Sequence, residues 1–209
     1  MTEAWDIKLI KADIVILASE HTPSIMSPQW LKDKDIITEN HTNFINTPEF
    51  ALFESNTYSL IIDRQRLQIG IRSNDKDGHV LNSVAKIAKR YVTLLNQIPY
   101  TSMGLNFTLS LTAKESEKIP SIEVKVGSDK GLKDSLTDHE LSYGCVVNAR
   151  KDPYLLKLTI APQGEKTLIY NFNYHHEVKD LKVDTICEYI ENYVRLCAYS
   201  RSVVERTIQ

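Results

Sequence analysis

Residues 102–112 constrain the fold more than any other part of the chain. Met103, Leu105, Phe107, Leu109 and Leu111 alternate without a break with Ser102, Gly104, Asn106, Thr108, Ser110 and Thr112. Successive side chains of an extended strand point to opposite faces, so a period of two gathers the apolar residues on one face and the polar ones on the other. A helix would scatter the same residues around its circumference, so this segment requires a β-sheet.

The same arithmetic reads the rest of the chain. Residues 5–18 carry the β-branched run Ile14-Val15-Ile16 and form a strand with a bulge near residues 11–13. Tyr58, Leu60 and Ile62, then Leu67, Ile69 and Ile71, alternate with polar neighbours, which predicts a hairpin turning at residues 63–65. After the turn-rich residues 74–78, Val80, Val84, Ile87, Ala88, Tyr91, Leu94, Leu95 and Ile98 follow the helical period. A helix is expected over 79–98, stopped by Pro99 because the residue before a proline avoids helical geometry. Ile122, Val124 and Val126 read as a further short strand, and the polar residues 127–140 as a connector. Strands are then expected at 141–149, 154–160 and 168–174. A closing helix over 184–206 is expected to present Ile186, Ile190, Tyr193, Val194, Cys197 and Val204, with Asp184 as its cap.

The order makes this an α+β chain of two similar halves, residues 1–126 and 141–209, each an antiparallel sheet packed by one long amphipathic helix. Arg90-Tyr91-Val92 and Asn192-Tyr193-Val194 stand at comparable depth in the two helices. Residues 21–48 are polar, carry Pro23, Pro28 and Pro48, and read as a surface excursion. Within it Ser27-Pro28 suits the start of a helical turn, with Trp30 as its anchor on the body.

Charge and cysteine content narrow the function classes. The 209 residues carry 25 Lys and Arg against 27 Asp and Glu, a formal net charge of −2. Such a chain lacks the broad positive field that favours nucleic acid or an anionic membrane, which leaves a local basic patch as the remaining route to a phosphate backbone. No apolar run is long enough to cross a bilayer, and the acidic start Met-Thr-Glu-Ala-Trp-Asp has no secretion-signal pattern, so no membrane partner is implied. The three cysteines, Cys145, Cys187 and Cys197, show no C-x-x-C spacing and form neither a disulfide framework nor a zinc motif. A reducing cytoplasm is the expected location.

The sharpest reactive constellation is Tyr174-His175-His176-Glu177. Adjacent strand residues face opposite ways, so His175 and His176 do not readily ligate one metal, and no His-x-x-x-His or His-Glu-x-x-His spacing supports a metal site. Cys145 is a candidate nucleophile with His175 or His176 as base, against which stands its apolar sequence neighbourhood. With seven glycines and neither a Walker pattern nor Gly-x-Gly-x-x-Gly, no nucleotide cofactor is implied. Arg66 and Arg72 are candidates for a patch facing phosphate or an acidic partner if they share the strand face turned from the core.

Thr47-Pro48-Glu49-Phe50, Tyr58-Ser59-Leu60, Arg66-Leu67-Gln68-Ile69, the helix after them and Met103-Gly104-Leu105-Asn106-Phe107 together resemble an uncharacterised, sporadically distributed bacterial family. Tyr170-Asn171-Phe172-Asn173 and the terminal helix extend that resemblance, which spans residues 44–204. Where the family carries Gly-Leu-Arg-Tyr, this chain has Asn106-Phe107 after Leu105. The resemblance supplies no catalytic residue. Its sporadic distribution implies a link to mobile elements or bacterial defence.

Foldable segments are abundant and convergent reactive groups scarce, so the sequence points to a non-catalytic interaction or assembly protein. The expected partner is another protein or a second copy, engaged through a strand edge or the excursion with Trp30. The alternatives are a small hydrolase or metal enzyme built on His175, His176 and Glu177, and a nucleic-acid binder using the Arg66 and Arg72 face.

Overall fold

A computed structural model describes residues 4–74, 76–114 and 143–208. The chain begins with β1 (Trp5–Ala18), continues through α1 (Pro28–Asp33) and the strands β2 (Asn43–Asn46), β3 (Phe50–Glu54), β4 (Tyr58–Asp63) and β5 (Arg66–Ile71), and reaches α2 (Gly78–Leu94). It then runs through β6 (Tyr100–Ala113), β7 (Cys145–Lys151), β8 (Tyr154–Pro162) and β9 (Thr167–Glu177) to α3 (Val183–Glu191) and α4 (Tyr193–Arg206). The expected strand at residues 122–126 and the connector 127–140 lie outside the described residues.

Among the described residues, the nine strands join one antiparallel sheet in the order β2-β3-β4-β5-β1-β6-β9-β8-β7. The strands expected in two sheets therefore form one, because β1 and β6 pair along almost their full length, from Trp5 opposite Ala113 to Ala18 opposite Tyr100. Alternation reveals that a segment is a strand but does not name its neighbour, so it carries no sign of this central pairing.

Helices cover one face of the sheet. Ala12, Ile14 and Ile16 of β1 and Leu105, Phe107, Leu109 and Leu111 of β6 turn toward that face and are buried. The apolar stripe of α2, including Val84, Ala88, Tyr91 and Val92, closes over β1 and β5, while α4 lies on β6 and α2 packs against both α3 and α4. The closing helix expected over 184–206 is divided at Asn192, which ends α3 and opens α4. The apolar period continues through the break, with Ile190 and Tyr193 both buried, so the pattern alone does not reveal it.

The bulge in β1 falls between Leu9 and Lys11, and it leaves Ile10 exposed while shifting the inward phase from Ile7 and Leu9 to Ala12, Ile14 and Ile16. At the start of α2, Asp77 is the cap, its carboxylate accepting from the Val80 amide at 2.8 Å. Replacing it with alanine removes a partner from an N-terminal amide that the helix cannot otherwise satisfy. Asp77→Ala is expected to lower unfolding free energy by about 1 kcal/mol, read by chemical denaturation.

The excursion is better anchored than its composition implies. Ser27 caps α1 by accepting from the Trp30 amide at 3.0 Å, and Met26, Leu31, Ile36 and Ile37 are buried. His21 is buried too, with Nδ1 3.1 Å from the Tyr91 hydroxyl and Nε2 3.3 Å from the Ile16 carbonyl. Asn43–Asn46, unmarked by any alternation in the sequence, adds to the sheet as β2 against β3.

Candidate binding face of the sheet

The face of the sheet away from the helices is assembled from the polar half of each alternating strand. The strand registers align these residues into rows across the sheet, and one row runs from Ser59 through Gly70, Asp13, Asn106 and Asn173 to Lys157. Its centre is hydrogen-bonded along the row: Asn106 donates to Asp13 at 2.9 Å and Asn173 donates to Asn106 at 2.5 Å. Asp13 is only 2% exposed although it lies on this face, and the Lys11 ammonium sits 3.1 Å from its carboxylate. A buried carboxylate requires such partners, since desolvation penalises an unpaired charge heavily.

Around Asp13 and the two asparagines the surface forms a hollow of about 280 Å³. Lys11, Arg66, Gln68, Thr108, Lys157 and Asn171 contribute to its lining. Thr108 donates to Asn171 at 2.9 Å. A second depression of about 510 Å³ adjoins it toward β7, where Ala149, Leu155 and Leu156 lie among Arg150, Lys157 and His175. The first hollow offers amides and hydroxyls that both give and accept hydrogen bonds; the second adds apolar area beside cations.

The residues singled out by sequence do not converge. His175 lies on the open face, its Nε2 2.7 Å from the Glu177 carboxylate, whereas His176 turns into the core beneath the helices. There His176 stacks on Tyr189 at 4.8 Å between ring centres, with Tyr154 edge-on at 5.7 Å, and neither ring nitrogen has a side-chain hydrogen-bond partner. Burial lowers its pKa to about 4, the neighbouring His175 acts in the same direction, and the Pro153 backbone opposes them. His176 is thus a neutral core ring at ordinary pH.

Cys145 opens β7 opposite Ile160, while His176 lies beyond Tyr154 on the neighbouring strand. His175, opposite Leu155, and His176 stand five and six positions along β8 from Ile160, roughly 17 and 20 Å of strand, so the thiol forms a dyad with neither imidazole. Among the described residues no group of three His, Cys, Asp or Glu side chains is placed to hold a metal ion. Cys197 is buried, which pushes its thiol up to about 11 against the opposing influence of Arg201.

Arg66 and Arg72 point to the same face but lie at opposite ends of the β5 segment, about 20 Å apart along it. Arg72 is engaged by Glu54 at 3.4 Å and donates to the Ser55 carbonyl at 2.7 Å. Arg66 donates to Gln68. Trp30 is half-buried against the core, and its helix is tied to α2 by Arg90, which donates to the Lys34 carbonyl at 2.8 Å. It belongs to the helix side of the molecule and not to the open face. Asn106, Asn171, Asn173, Lys11 and Lys157 are site residues that sequence reasoning missed. Alternation marks the asparagines as outward, but only the strand order brings them together.

The chain matches no protein-family model and no curated protein sequence. Among the described residues no helix is long and apolar enough to cross a membrane.

Proposed function

We propose that this protein is a non-catalytic binding module whose working surface is the open face of the sheet. One observation carries the reading: five strands, β5, β1, β6, β9 and β8, bring their polar faces to a single hollow with hydrogen-bonding groups on its floor and cations around it. Polar residues on a solvated sheet face need no common purpose, but a carboxylate buried there and a chain of side-chain hydrogen bonds across three strands make a shaped, pre-ordered surface.

We read the chain as two like halves meeting at the β1–β6 pair, with β6 in the second half and not, as the sequence boundary at 126 places it, in the first. Beyond β1 lie β5, β4, β3 and β2, beyond β6 lie β9, β8 and β7, and Asp13 faces Asn106 across the junction. The hollow then lies on the line that relates the halves, where a partner meets equivalent strands from both. A macromolecular partner suits this placement better than a small substrate, since the hollow is open and its floor spans several strands. The protein or self-association partner read from the sequence is one such ligand.

The test is a double substitution, Thr108→Glu with Asn171→Glu, which puts two long carboxylate side chains into the hollow, one from half-buried Thr108 and one from exposed Asn171. Immobilised wild-type protein is expected to retain a partner from host lysate, and the variant to lose it while its unfolding curve stays within about 1 kcal/mol of wild type. Undiminished retention by a folded variant would remove the open face from the reading.

A further inference from the structure

We infer that the ligand of the open face is a nucleic-acid duplex, held at its phosphates by Arg66, Lys157 and Arg150 and met in a groove by the amides of the central hollow. The inference rests on the binding-module reading and names its partner.

Charge pairing on this face is the first argument. Each carboxylate on its strands is already engaged. Asp13 holds Lys11 and Asn106, Glu54 holds Arg72 and Asn43, Asp6 holds Lys8, and Glu177 holds His175. Asp63 accepts from the backbone amides of Gln65 and Arg66 at 2.8 and 2.9 Å. Arg66, Lys157 and Arg150 project from the same face, and among the described residues none of them has a carboxylate partner. The net charge of −2 describes the whole chain. On this face amides hold Asp63 without cancelling its charge and His175 offsets Glu177 only when protonated, so the face is close to balance overall. Its cations without carboxylates, Arg66, Lys157 and Arg150, gather around the two hollows, where phosphates would meet them.

The floor of the hollow decides which polyanion. An acidic protein segment could use the cations and the apolar area toward β7, but would make little use of a run of amides. Gln68, Asn106, Asn171 and Asn173 each carry both a donor and an acceptor, the pattern suited to the mixed edges of base pairs. Sheets present such residues to a duplex groove, where Asn and Gln read base edges while Arg and Lys hold the flanking phosphates. Single strands are held differently, by stacking bases on aromatic rings. On this face of β5, β1, β6, β9 and β8 the described residues around the hollow present no aromatic platform. The aromatic residues nearest to it, Phe107, Phe172 and Tyr174, all turn inward.

The test is fluorescence anisotropy with a labelled mixed-sequence DNA duplex, the same sequence as a single strand, and a labelled polyglutamate peptide. The duplex is expected to bind most tightly. With about three phosphates neutralised, affinity should fall about 40-fold between about 50 and 200 mM salt. Arg66→Glu with Lys157→Glu, both at exposed positions, should weaken duplex binding more than about tenfold with an unchanged unfolding curve. Absence of duplex binding at low salt would overturn the inference. So would a folded charge-reversed variant that binds as wild type, or polyglutamate or the single strand binding as tightly as the duplex. Nuclease-treated lysate separates this failure from failure of the underlying reading. Retention that survives nuclease and is lost in Thr108→Glu/Asn171→Glu would leave the face as a binding surface while overturning its assignment to nucleic acid.

Discussion

Acidification from pH 6.5 to about 4 is expected to remove about 3 kcal/mol of stability through His176 alone. The ring is buried, stacked on Tyr189, and without a side-chain partner for either nitrogen, so the folded state disfavours its protonation while the unfolded chain does not. Between the ordinary histidine pKa of 6.5 and the lowered value of about 4, the unfolded state binds more protons than the folded one. Stability is therefore complete above pH 6.5 and declines as the pH falls toward 4. His21, whose pKa burial also lowers, adds a decline of the same sign, with the Ile16 carbonyl and Asp63 moderating it.

The check is urea denaturation across this pH range for wild type and His176→Phe. Phenylalanine keeps the stack on Tyr189 and binds no proton, so the variant is expected to lose markedly less stability on acidification, with His21 supplying the remainder. Parallel wild-type and variant curves would show that His176 is not the acid-sensitive group. The same result bears on function, because a histidine kept neutral and sealed under the helices is not the base of an active site.

Much of this architecture is written locally. Residues 102–112 and the stripe from Val84 to Val92 declare a strand and a helix because every inward residue repeats at one fixed period. The same rule obscures β1, where the bulge at Ile10 moves the inward residues from odd to even positions halfway along. It passes over β2, whose pairing with β3 is a tertiary fact in a polar segment. Asn192 divides the last helix without disturbing the apolar repeat on either side. The candidate site is the least legible part. Each strand displays its polar face in the sequence, but Lys11, Gln68, Asn106, Asn171 and Lys157 come from separate stretches of chain, and their convergence depends on an order of strands that no local signal contains. The paired histidines are conspicuous because they are adjacent in sequence, and it is their adjacency in a strand that separates them in space.

Two neighbouring residues of β6 test the division of labour between the faces. Phe107 is 1% exposed, 4.8 Å from the Tyr193 ring and 6.0 Å from Tyr174. Removing its ring forfeits the transfer energy of a full aromatic side chain and leaves a cavity that rigid strands and helices cannot fill. Phe107→Ala is expected to cost about 3–5 kcal/mol. Thr108, the next residue, faces the open side and gives up a single exposed hydrogen bond to Asn171, so Thr108→Ala should cost about 1 kcal/mol at most. Equilibrium unfolding of both variants reads the contrast, and similar costs would mean that the open face is packed against something and is not a free surface. If the contrast holds, the binding assay inverts it. Phe107→Ala, under conditions where it stays folded, should retain the duplex, whereas the stable Thr108→Glu/Asn171→Glu protein, which sets two carboxylates against the phosphates, should not. Stability and binding then reside on opposite faces of the same strand, which is what alternation in β6 provides: one set of residues to hold the fold and another left available for a partner.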